Sequence, residues 1–190
     1  MGKVIPNREQ AYELLKKYNK SESLINHGLA VEAVMLHFAE LFEEEDKEKW
    51  RIVGLVHDLD YEMYPEEHCS KTKEILEEEN WPEDYIRAIV SHGWKICSDV
   101  EPIETMEKVL YTIDELTGLI HAYALMRPTG IEGMKVKSLK KKWKDKSFAA
   151  GVDREIIARG AEMLEMDLSK VIEETIKGMG KVAEEIGLKK

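Results

Sequence analysis

Only 2 cysteines, 5 prolines and 12 glycines occur among 190 residues. That scarcity excludes a disulfide framework and any collagen-like or loop-dominated class. Aromatic residues make up 7% of the chain, and Val, Ile and Thr do not dominate, which argues against a sheet protein. Amides are nearly missing: Asn7, Asn19, Asn26, Asn80 and Gln10 stand beside many Glu and Lys, a lean towards heat adaptation. No apolar run reaches the roughly 18–20 residues that span a bilayer, so no membrane association is expected. The stretch Met1 to Pro6 lacks the apolar core of a secretory signal, and with the unpaired cysteines this predicts a cytoplasmic protein. Positive charge is also short. The net charge of −10 disfavours generic nucleic-acid binding, and no DNA partner is expected.

What is present is a 43% hydrophobic, 35% charged chain rich in Glu, Lys, Leu and Ala, which reads as an all-α protein. Asn7 with Gln10 forms a capping-box pattern for a first helix to about Tyr18. A second helix is expected from Leu24 to about Glu45, with the stripe Val31, Val34, Phe38, Leu41. A third, Lys47 to Leu59, is apolar all round at Ile52-Val53-Gly54-Leu55-Val56, the mark of a central buried helix. Gly54 costs such a helix about 1 kcal/mol, for which close helix packing is the expected reason. Shorter helices follow over 66–79 and 82–91, then a long one from Glu104 to Met126 that Arg127-Pro128-Thr129-Gly130 stops. Two more are expected after Asp153 and after Asp167 or Ser169. Residues 1–130 thus read as a helical core and 131–190 as a helical C-terminal extension packed on it.

Polar residues interrupt the apolar stripes. His27 shares a stripe with Val31, Val34 and Phe38; His57 closes the stripe of Trp50, Val53 and Gly54; Asp114 follows Leu110 by one turn. A buried, unpaired carboxylate costs several kcal/mol. One divalent cation removes that cost, because His27, His57, Asp58 and Asp114 supply two imidazoles and two carboxylates. His57 and Asp58 diverge around a helix, yet both reach an ion beyond its end, where the helix dipole also favours a cation. Mixed nitrogen and oxygen ligation with open positions suits Mn, Fe, Mg, Co or Ni better than a closed thiolate zinc site. Open positions admit water, which a metal acidifies into a nucleophile.

The set His27, His57-Asp58, Asp114, with the phrase Val53-Gly54-Leu55-Val56-His57-Asp58-Leu59 and the acidic Asp114-Glu115-Leu116, resembles the HD superfamily of metal-dependent phosphohydrolases. Residues 20–130 carry the resemblance, and Ser138 to Arg154 is similar to small bacterial and archaeal HD proteins without an assigned activity. The resemblance implies an HD-domain helical bundle, a divalent metal and hydrolysis of a nucleotide or other small phosphoester through a metal-activated water. Binuclear members use the order His, His-Asp, His, His, Asp, which His27, His57, Asp58, His68, His92 and Asp114 reproduce. Asp58 would then bridge two ions. The short gap from Asp58 to His68 leaves open whether His68 and His92 hold a second metal or a substrate phosphate, so one or two divalent ions, of Mn, Fe, Mg, Co, Ni or Zn, are expected.

Other candidates surround this set. Asp60 and Glu62 could orient the attacking water or protonate the leaving oxygen, or simply cap a turn. His121, seven residues after Asp114, could line the pocket. Lys135 to Lys146 holds seven lysines against one acid; Lys140 and Lys144, with Arg154, are candidates for substrate phosphate, or form a solvated face. His37 reads as a surface residue among Glu40 and Glu44. The same six-residue order also serves di-iron oxygenases, and a non-catalytic, metal-stabilised regulatory domain is the third reading. The expected partner is a small phosphorylated substrate, and a homo-oligomer is left open.

Overall fold

The computed structural model describes residues 2–190. Its elements are α1 (Arg8–Tyr18), α2 (Glu22–Leu41), α3 (Lys47–Val56), α4 (Ser70–Glu78), α5 (Glu83–Ser91), α6 (Thr105–Met126), α7 (Val136–Trp143), α8 (Arg154–Met163) and α9 (Leu168–Gly180). A single 3-10 turn, Pro65–Glu67, precedes α4. Among the described residues there is no strand, only an isolated bridge between Trp94 and Ser98. The protein is an all-α bundle.

The capping box at α1 forms as its residues predict. Asn7 Oδ1 accepts from the Gln10 N–H at 2.9 Å, and Gln10 Oε1 accepts from the Asn7 N–H at 3.0 Å. Helix α2 is the axis of the bundle, packed by α3, α6 and α9. Its face towards α3 is unusually close. A Cβ on Gly54 would stand 2.7 Å from Met35 Cγ and 3.1 Å from the Val31 carbonyl oxygen, and one on Gly28 would stand 2.9 Å from the Leu55 carbonyl oxygen. Glycine therefore sits at these crossings for distance, at a cost in helix propensity. Glu32, buried on α2, joins three helices: Arg8 of α1 donates to it at 2.8 and 2.9 Å, and Arg51 of α3 at 3.1 and 2.9 Å.

Helix α3 ends at Val56, three residues before the expected Leu59. The chain continues in tight turns, with the Tyr61 N–H donating to the Asp58 carbonyl at 3.1 Å and the Tyr64 N–H to that of Asp60 at 2.8 Å. This loosened end carries His57 and Asp58. Helix α2 likewise ends at Leu41, before the acidic run to Glu45, where Glu43 takes a positive φ of 56°.

One hydrophobic cluster runs through the whole molecule. It includes Val34, Phe38, Leu55 and Leu116 together with Leu139, Ile157, Val171, Ile172 and Met179 from beyond residue 130. Helix α9 lies along α2 and α8 along α6. His37 is consequently no surface residue, contrary to expectation. Its Nε2 meets Glu174 Oε2 at 2.6 Å across the α2–α9 contact, and its side chain is 14% exposed. No helix among the described residues is long and apolar enough to cross a membrane.

Candidate metal centre

Four remote residues converge where α2, the end of α3 and the middle of α6 meet. His27 Nε2 lies 3.2 Å from His57 Nε2 and 2.9 Å from Asp114 Oδ1, and His57 Nε2 lies 3.2 Å from the same oxygen. Asp58 Oδ2 completes the group at 3.6 Å from His27 Nε2 and 3.4 Å from His57 Nε2. Cis ligands held about 2.1 Å from one ion stand roughly 3.0 Å apart at right angles and about 3.4 Å apart in a tetrahedron. The spacing of these four donors is therefore that of a ligand shell, and the group can hold a metal ion.

The second oxygen of Asp58 faces another pair. Asp58 Oδ1 lies 3.5 Å from His68 Nε2 and 3.4 Å from His92 Nε2, which are themselves 3.2 Å apart. Cys69 joins this second group, its ligand atom and those of His68 and His92 all lying within 4.8 Å of one another.

The imidazoles are oriented before any ion binds. His57 Nδ1 donates to the Gly54 carbonyl at 2.8 Å and His92 Nδ1 to the Ile89 carbonyl at 2.5 Å, each one turn back in its own helix. His68 Nδ1 donates to Asp60 Oδ1 at 2.7 Å. In all three the remaining Nε2 is left facing the centre, the atom that a metal takes when it displaces the proton.

Electrostatics point the same way. Burial alone would push His57 down, but the carboxylates of Asp58 and Asp114 hold it well above the ordinary histidine range. Burial would push Asp58 and Asp114 up, yet the surrounding imidazoles hold both well below the usual carboxylate range. Among the described residues no lysine or arginine pairs with either acid; every partner is a histidine. The carboxylates thus call for positive charge that the chain itself supplies only as protonated imidazole. His57 is fully buried, whereas the side chains of His27, Asp58 and Asp114 remain 23%, 19% and 20% exposed. The centre is therefore open on one side to water or a small ligand.

The outer candidates take other places. Asp60 is completely buried, accepts the Thr72 N–H at 2.8 Å as well as His68, and so positions an imidazole rather than meeting a substrate. Glu62 is exposed, and its Oε2 accepts the N–H groups of Lys20 and Ser21 at 2.7 and 2.9 Å, which anchors the start of α2. Arg154 corrects its expectation most plainly. Its guanidinium donates to the carbonyls of Trp143, Asp145, Phe148, Ala149 and Val152, closing the loop before α8 instead of receiving a phosphate. Lys140 bonds the Ser169 hydroxyl and, with Lys144, lines a groove of α7 and the start of α9 that contains none of the centre's residues. His121 is held below its ordinary value by burial and by His27.

Two residues with no role assigned from the sequence stand near the centre, Glu115 beside Asp114 and Cys97 near His68 and His92. Glu115 is pushed up to about 7, by burial and then by the charge of Asp114, and its Oε2 accepts the Asp153 N–H at 2.9 Å. Cys97, exposed in the turn after α5, pairs with buried Cys69. The hydrogen bond from Cys69 brings Cys97 down to about 6 against burial, helped by His68 and His92. Adjacency to Asp114 signalled the first; nothing in the spacing of the two cysteines signalled the second.

No protein-family model matches this chain, and no solved structure matches it at a significant level. The chemistry of the centre therefore rests on its own atoms.

Proposed function

We propose that this chain is a binuclear, HD-type metal-dependent phosphohydrolase acting on a nucleotide or small phosphoester. One observation carries the reading: the two oxygens of a single carboxylate, Asp58, face two separate histidine pairs, His27/His57 and His68/His92. His27, His57, Asp114 and one oxygen of Asp58 would hold the first ion. His68, His92 and the other oxygen of Asp58 would hold the second.

Bound divalent ions supply Lewis-acid charge for phosphoryl oxygens and lower the pKa of water. The chain's own residues prepare that chemistry. Asp60 and the Gly54 and Ile89 carbonyls fix three imidazoles by their Nδ1 protons, so no reorientation is needed when ions or substrate arrive. The exposed edges of His27, Asp58 and Asp114 leave room for a phosphoryl group, and half-exposed Tyr61 lays its ring edge-on against His68 at 5.2 Å between centroids. An aromatic face at that edge suits a nucleobase or other planar leaving group.

The test is elemental analysis of protein purified without added metal, followed by phosphate release from a panel of nucleotides and phosphoesters with Mn²⁺ or Co²⁺. Two equivalents of metal and turnover on part of the panel are expected. Two equivalents with background phosphate throughout would refute the hydrolase. An all nitrogen-and-oxygen set around one bridging carboxylate also suits two irons, so O₂ consumption by the iron-loaded protein is measured in parallel and would move the reading to an oxygenase. A large metal-dependent rise in melting temperature without any turnover would mark a metal-stabilised regulatory domain.

A further inference from the structure

We propose that Cys69 and Cys97 form a modification site: a dithiol that a hydroperoxide converts to an intramolecular disulfide, tying the residue after His68 to the turn after His92. Both sulfurs crowd one point, since a Cβ on Gly93 would overlap Cys69 Sγ and Cys97 Sγ together. Glycine at this position is what lets the two thiols meet. The pair is asymmetric. Cys69 is buried, 1% exposed, and sits at the N-cap of α4 with φ of 68°; Cys97 is exposed. The turn that presents Cys97 is well defined, with the N–H groups of Cys97 and Ser98 both donating to the Gly93 carbonyl at 2.9 and 3.0 Å and Lys95 at φ of 65°. An exposed attacking thiol beside a buried resolving thiol is the arrangement that gives a disulfide rather than deeper oxidation.

The step balances. The Cys97 sulfur attacks one oxygen of the hydroperoxide; an S–O bond forms, the O–O bond breaks, and the departing hydroxide or alkoxide takes the thiol proton. The Cys69 sulfur then attacks the sulfenic sulfur; the S–S bond forms, the S–O bond breaks, and hydroxide leaves with the Cys69 proton as water. Two thiols are oxidised by two electrons, and the peroxide is reduced by two.

A disulfide draws its sulfurs to about 2.05 Å, with Cβ atoms about 3.8 Å apart. That moves the start of α4 relative to the turn after α5, and His68 and His92 are the neighbours of the two anchoring segments. The disulfide should therefore spoil the second metal position and spare the first, a consequence that rests on the binuclear reading, whereas the disulfide itself does not.

The experiment treats zinc-loaded full-length protein with hydrogen peroxide, then maps thiols by alkylation and peptide mass spectrometry and counts zinc before and after dithiothreitol. Expected are loss of two hydrogens per chain, a peptide joining Cys69 to Cys97, release of one of two zinc equivalents, and recovery on reduction followed by zinc. Cys69→Ser should instead leave Cys97 as a sulfenic acid that dimedone labels, and Cys97→Ser should leave Cys69 reduced. Cys97 carried to sulfinic acid with Cys69 free, or a cross-link between two chains, would overturn the site. A mapped disulfide with both zinc equivalents retained would overturn its link to the metal. Reduced protein that binds no zinc would refute the binuclear reading, with the peptide map still deciding the disulfide.

Discussion

Asp58 stands between four imidazoles, and its two oxygens have different neighbours. Asp58→Ala should therefore remove both ions, whereas His27→Ala should weaken the first more than the second; metal content after dialysis reads the difference, and two retained equivalents in Asp58→Ala would exclude a bridge. Asp60 touches only the second position, through His68 Nδ1. Losing such an orienting carboxylate typically costs about 10–100-fold in metal affinity, so Asp60→Ala should show that loss for one ion of the two. Histidine ligands bind metal only when neutral, and the unperturbed pKa is about 6.5. Affinity measured by competition with a chelator should begin to fall already above pH 6.5, because Asp58 and Asp114 hold the proton of His57 well above the ordinary histidine range, and should keep falling as pH drops; a flat profile from pH 8 to 5 would contradict imidazole ligation. At this scale the sequence was readable wherever polarity was out of place. His27, His57, Asp58 and Asp114 interrupt apolar stripes, and the structure brings them together. Arg154 was misread because charge alone does not reveal that five carbonyls occupy its donors. The cysteine pair was unreadable because a left-handed residue at Cys69 and a tight turn at Gly93 set it, neither of which has a periodic signature.

Helices α2 and α3 place the first three ligands, so their separation sets the geometry of the centre. Gly54 governs that separation through its approach to Met35 and the Val31 carbonyl. Met35 can yield, but the Val31 carbonyl belongs to the helix backbone and cannot. Replacement with valine gains back some helix propensity and is outweighed by overpacking, which typically costs about 1–3 kcal/mol. Gly54→Val should therefore lower stability by about 2 kcal/mol, or roughly 4–8 °C in Tm for a chain of this size. It should also weaken metal binding, since His57 Nδ1 is held by the Gly54 carbonyl. A variant as stable as the parent would show that the two helices have room to part. The helices themselves were legible from period and caps: α1, α3, α5 and α6 begin within a residue of where those signals put them. Their ends were less so. Helix α3 stops early because the tight turns from Asp58 to Tyr64, rather than any Gly or Pro, close its last turn.

The segment beyond residue 130 closes the bundle: α9 covers the face of α2 that carries Val34 and His37, and Val34 and Phe38 share one apolar cluster with Val171, Ile172 and Met179. A chain cut after residue 130 would expose that face of α2, and it should lose the single cooperative melt of the full-length protein; a cooperative melt in the truncated chain would make the two parts independent. The polar anchor of the same contact gives a sharper test. Glu174 is 3% exposed, and burial would push it up, but hydrogen bonds from Lys170, His37 and Lys177 outweigh burial and hold it at about 2. A carboxyl whose folded value lies below its unfolded value of about 4.3 adds stability that is complete above that value and disappears as pH falls towards 2. The full difference is worth about 3 kcal/mol at most, and the lysines, half exposed at 48% and 50%, are screened by water, which brings the expected figure to about 1–2 kcal/mol. Urea midpoints at pH 6 and pH 3 should therefore differ more in the parent than in Glu174→Gln, whose amide has no proton to take up. Equal losses in the two proteins would mean that α9 is held to α2 by apolar contact alone, and that His37 and Glu174 meet there without contributing to the join.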